Sequence, residues 1–80
     1  MEAYREKMSQ QHHDALQKEL AYLSGERRAE VAAALAEARS HGDLSENAEY
    51  DEARNEQARL EDEISRLEYI LEHAEIIQNI

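Results

Sequence analysis

The chain predicts an all-α fold, a long antiparallel two-helix coiled-coil hairpin, on three observations. It contains no proline, its apolar residues recur at alternating gaps of three and four, and a single glycine-marked stop divides it. Cys, Trp and Phe are also absent, and Gly occurs only at Gly25 and Gly42. Ala, Leu, Glu, Gln and Arg dominate, and these side chains lose little freedom in a helix. Such composition with a heptad-like repeat marks coiled coils and long helices.

The first helix is expected from about Ser9 to Ser40, with Ser9 suited to cap it. Its apolar seam runs through Leu16, Leu20, Leu23, Val31, Leu35 and Ala38. Polar Arg27 falls where an apolar residue is due, and the spacing shifts near Gly25 in the manner of a stutter. The tip spans residues 41–47. Gly42 suits the left-handed position that closes a helix, and Asp43-Leu44-Ser45-Glu46 matches an N-cap and capping box, with Ser45 as an alternative cap. The second helix is expected from about Leu44 to Ile77. Its seam of Tyr50, Ala53, Gln57, Leu60, Ile64, Leu67, Leu71 and Ala74 keeps strict heptad spacing, with one polar member at Gln57. Each helix would be about 50 Å long, and so short a connection turns them back on each other. Ile76, Ile77 and Ile80 leave the heptad and read as frayed helix or the lead into a strand. Residues 1–80 thus form one domain.

This organisation excludes several function classes. A substrate cavity needs walls on several sides, whereas two helices offer one seam, so an autonomous enzyme acting on a small molecule is not expected. Acids outnumber bases by 19 to 9, giving a net charge of −10. That balance opposes direct gripping of a nucleic-acid backbone, which depends on Lys and Arg. No stretch approaches the roughly 18 apolar residues of a membrane span, and Met1 to Met8 lacks a signal-peptide core. The absence of cysteine suits a cytoplasmic location.

Chemistry concentrates at the tip. Glu37, Asp43, Glu46, Glu49, Asp51, Glu52 and Glu56 gather there, opposed by Arg39 and Arg54. Asp43 and Glu46, three apart at the turn, are hard oxygen donors suited to Mg²⁺, which commonly takes one or two protein carboxylates and keeps several waters. The same spacing is what an ordinary capping box demands, and acids in a first helical turn also favour the helix dipole. Spacing alone favours the cap. Arg39 and Arg54 are by default surface ion-pairing residues, and otherwise contacts for RNA phosphate or a partner protein. Tyr50, on the seam, is read as core. His12 and His13 are adjacent and cannot chelate as an i, i+4 pair would; His41 and His73 read as surface residues near the helix ends. No Ser-His-Asp set, Gly-rich phosphate loop or cysteine zinc site is present.

The block Ala38-Arg39-Ser40-His41-Gly42-Asp43-Leu44-Ser45-Glu46-Asn47-Ala48-Glu49-Tyr50 is similar to the tip signature of the GreA/GreB transcript cleavage factors, and Leu44 leans the match toward the GreA type. The likeness extends from Leu16-Gln17-Lys18-Glu19-Leu20 through Arg27-Arg28 to Ala74-Glu75-Ile76-Ile77. The resemblance implies a finger that enters the secondary channel of bacterial RNA polymerase when the enzyme has backtracked. Asp43 and Glu46 would there help to hold a Mg²⁺ shared with the polymerase and position the attacking water. The polymerase would then cleave the extruded RNA 3′ end, with the chain as its helper and not itself an enzyme. Ser45 would tune the tip, and Arg39 and Arg54 match a basic patch that meets the RNA; any DNA association would be indirect. Relatives with altered tips occupy the channel as inhibitors, and a purely structural hairpin is the remaining alternative. Three departures stand out. Family members continue into a C-terminal docking domain where this chain stops. Arg28-Ala29 replaces the usual Arg-Pro, which should leave helix 1 straighter. Met8-Ser9-Gln10-Gln11-His12 follows the family's start only loosely.

Overall fold

A computed structural model of the chain describes residues 5–43 and 47–77. In chain order it has strand β1 (Glu6–Met8), helix α1 (Gln10–Tyr22), a π-helical turn (Leu23–Arg27), helix α2 (Arg28–Arg39), helix α3 (Ala48–Glu72) and strand β2 (Ala74–Ile76). α1, the π turn and α2 form one arm and α3 the other. Ser9 caps α1 as expected, its hydroxyl accepting the His12 N–H at 3.1 Å.

The π turn is where the heptad falters. From Leu16 the seam positions are spaced four, three, four, four, four and three, if Arg27 is counted, so one residue more than two strict heptads separates Leu16 from Val31. A π turn absorbs a single extra residue and returns the apolar stripe to the same face. Locally, the Ser24 hydroxyl donates to the Leu20 carbonyl at 2.7 Å, a back-bond that loosens regular helical pairing. The helix then continues through Ala29 without a break.

Polar contacts cross between the two arms at three places. Arg28 meets Glu61 through a two-pronged pair at 2.8 and 3.0 Å, Arg27 meets Glu56 at 2.9 Å, and Asn47 reaches Ala38 at 2.7 Å. Val31 packs with Leu60 and Ile64, and Leu20 and Leu23 lie against that cluster. Leu35, Ala38, Ala53 and Leu67 are also buried. Gln57, the polar seam member, is exposed. Each large aliphatic buried here contributes about 1.5–3 kcal/mol, against about 0–1 kcal/mol for an exposed ion pair. The seam holds the arms together; the ion pairs set their register.

The all-α expectation is corrected at the base. β1 and β2 pair in parallel, Glu6 opposite Ala74 and Met8 opposite Ile76, with the helical arms as the crossover between them. Backbone bonds from Glu6 N–H to His73 and from Ile77 N–H to Met8 extend the ladder. Met8 is 4% exposed and closes this end of the core. Of the two readings of the terminal isoleucines, the strand holds for Ile76. The second helix is shorter than expected at both ends, because Asn47 caps it and β2 takes over after His73.

The result is a thin rod with extents of 58 × 29 × 13 Å. Its radius of gyration is 17.3 Å, where a compact chain of this length would have about 12 Å. Among the described residues no helix is long and apolar enough to cross a membrane.

Candidate functional site at the bend

α2 ends at Arg39, with Ser40 as its C-cap. The chain then tightens. His41 N–H donates to the Ala38 carbonyl at 3.3 Å and Gly42 N–H to the Arg39 carbonyl at 3.1 Å. Gly42 has φ +94°, a region closed to most side chains, so glycine is needed here, two residues past the cap. Asp43 follows directly. Its N–H donates to the His41 carbonyl at 3.3 Å and the residue is exposed to solvent.

The N-cap of α3 is neither Asp43 nor Ser45 but Asn47. Its side-chain oxygen accepts the Tyr50 N–H at 3.0 Å, and its side-chain nitrogen donates to the Ala38 carbonyl at 2.7 Å. At 8% exposed, Asn47 is the buried polar residue among those described. One side chain therefore starts α3 and ties it to the last turn of α2. Asn47, Asp43 and Ser45 are all good caps by type; the signal that could have separated them is the seam, whose first member Tyr50 lies three residues after Asn47. Asn47 thus starts α3, while the capping box read at Asp43-Leu44-Ser45-Glu46 runs through residues outside the described ones.

Ser45 and Glu46 lie outside the described residues, and so does the spacing between the Asp43 and Glu46 carboxylates. Arg39 and Arg54, fifteen apart in sequence, both reach the ring of Tyr50. Their guanidinium carbons stand 5.8 and 5.9 Å from the centre of the Tyr50 ring, within cation–π range. Arg54, and secondarily Arg39, draw the Tyr50 hydroxyl below its ordinary pKa by favouring the phenolate. Tyr50 is half-buried and not the core residue its heptad position suggests. His41 faces Glu49 across the bend at 3.4 Å.

Between the arms, next to the bend, an open groove of about 700 Å³ is lined by Glu37, Glu49, Glu52 and Glu56, with Arg27 and Ala53. Glu56 is held below the usual carboxylate range by Arg59 first and Arg27 second. This face would repel a phosphate backbone. Among the described residues no three His, Cys, Asp or Glu side chains converge to hold a metal. Asp43 is a hard, accessible donor of the type Mg²⁺ takes, and it would need ligands from elsewhere to complete a shell.

Comparison with known proteins fits this geometry. The family described as "Transcription elongation factor, N-terminal" (GreA/GreB) matches residues 6–76. Transcription elongation factor GreA of Thermoanaerobacter pseudethanolicus is 55% identical over 62 residues, covering 78% of this chain and 40% of that protein. The protein of the same name from Macrococcus caseolyticus is 49% identical over 72 residues, covering 90% and 46%, and that of Xanthomonas axonopodis pv. citri is 55% identical over 62 residues, covering 78% and 39%. The chain spans less than half the length of these curated relatives.

Proposed function

Since this chain belongs to the GreA/GreB family of transcription elongation factors, through their N-terminal region, we propose that it is the polymerase-entering arm of a transcript cleavage factor. The two arms form an antiparallel coiled coil whose bend passes through the secondary channel of bacterial RNA polymerase. There Asp43 and Glu46 would help to hold a Mg²⁺ ion shared with the polymerase. A second metal ion in such a centre stabilises both the attacking and the leaving oxygen of the displacement. Asp43 and Glu46 would hold the ion through carboxylate oxygens and orient the attacking water, and Ser45 would tune the tip. Arg39 and Arg54 face the phosphates of the backtracked RNA 3′ end. The chain performs no hydrolysis alone, takes no small-molecule substrate and works in the cytoplasm.

The observation that carries this reading is the position of Asp43. It stands exposed at the bend between the arms, immediately after the left-handed Gly42, in a molecule 58 × 29 × 13 Å in extent. Arg28–Glu61 and Asn47–Ala38 fall in opposite order along the two arms, which supports the hairpin.

The test is to add the chain to arrested elongation complexes and resolve the transcripts. The expected result is dose-dependent shortening of the RNA, followed by renewed extension. Blocked nucleotide addition without shortening would assign a channel-occupying inhibitor. No effect on either would leave a structural hairpin.

A further inference from the structure

Most of the arginines on the arms have glutamate partners. Arg27 pairs with Glu56, Arg28 with Glu61, Arg59 with Glu56, and Arg66 with Glu63. Arg39 and Arg54 differ. Among the described residues no carboxylate pairs with either, although the bend is rich in acids. Both turn to Tyr50 instead. Arg54 lies one turn beyond Tyr50 on the same face of α3, and Arg39 arrives from the last turn of α2.

We propose that Tyr50 is a positioning residue, whose ring gathers Arg39 and Arg54 into one two-pronged receptor for a phosphodiester of RNA. This rests on the proposed function for the source of the RNA, but the gathering itself does not. Two guanidiniums brought near one another repel. A ring face attracts each of them, because its quadrupole presents negative charge to a cation. The hydroxyl adds a second hold on the same two side chains, since hydrogen bonding from Arg54 first and Arg39 second draws its pKa below the ordinary value. The ring and its one hydroxyl oxygen do not occupy a guanidinium with the fork-shaped pairing that a carboxylate imposes, so N–H groups remain for phosphate oxygens. Arg39 and Arg54 are both exposed, while Tyr50 beneath them is half-buried and fixed to the helix. With a net charge of −10 the chain does not capture free RNA strongly. The receptor acts on a phosphate that the polymerase already holds.

The experiment uses the full chain in two arms. NMR of the arginine Nε–Hε groups reads positioning directly. In the parent, the Arg39 and Arg54 resonances are expected upfield of the other arginines through the ring current. Tyr50→Phe keeps that shift and Tyr50→Leu removes it. Arginine resonances that are unshifted in the parent, or unchanged in Tyr50→Leu, would overturn the proposal whatever the polymerase result. In the second arm, arrested complexes are titrated with each variant. Tyr50→Leu is expected to raise the half-saturating concentration roughly threefold to tenfold, with Tyr50→Phe restoring most of it and the maximal cleavage rate little changed. In an Arg39→Gln/Arg54→Gln background, Tyr50→Leu is expected to add nothing further. An undiminished additional loss there would show that Tyr50 acts through something other than the arginines. If the parent cleaves nothing, the proposed function falls while the NMR arm still decides the role of Tyr50.

Discussion

Asn47 does two jobs with one amide, and each has a separable cost. Its oxygen caps α3 and its nitrogen closes on the Ala38 carbonyl. Asn47→Ala removes both bonds and leaves the Ala38 carbonyl only its backbone donors, so urea unfolding should show a loss of about 1–3 kcal/mol. Asn47→Asp keeps the cap but loses the donor, and should fall between the parent and Ala variants. Equal stability of all three would mean that the bend does not depend on this side chain. The sequence left this residue unseen because three residues within five positions could each cap, and residue type alone does not rank them. Tyr50 was misjudged for a related reason. A heptad position says which way a side chain points, not whether a partner covers it, and at the end of a seam the last member is covered from one side only.

Among the elements, the arms were legible because a seam of two facing helices repeats itself many times over. Leu60, Ile64 and Leu67 are buried as their spacing required, and the irregular spacing around Gly25 became the π turn. The strands were not legible in the same way. Glu6–Met8 is three residues long, has no alternation to speak of, and finds its partner across the whole hairpin. The departure at Arg28-Ala29 marks a place where the helix runs on, with the irregularity lying one residue upstream in the π turn. Gly25 sits in that turn, has no positive φ, and a methyl group placed on it meets nothing within 4 Å. Gly25→Ala should therefore stabilise the arm by about 0.5–1 kcal/mol, by restricting the unfolded chain and favouring helix. Denaturant unfolding measures it. A loss of stability would show that the turn needs the freedom of glycine after all.

As a molecule, the chain is a charged rod with one narrow core. Nineteen acids against nine bases make self-repulsion the dominant long-range force. Raising NaCl from low concentration to roughly 0.5 M shortens the Debye length to a few ångströms and should raise Tm, even though it weakens Arg27–Glu56 and Arg28–Glu61. A falling Tm would mean that those cross-arm pairs outweigh the repulsion. In the function proposed above, Asp43 is a carboxylate that the bend carries into another protein's reaction centre. Asparagine there keeps the shape and removes the charge. Thermal unfolding and RNA cleavage by arrested polymerase, measured together on Asp43→Asn, decide the matter: Tm should stay with the parent while cleavage drops about a hundredfold or more. Cleavage at the parent's rate by a fully folded Asp43→Asn chain would contradict the role given to the bend.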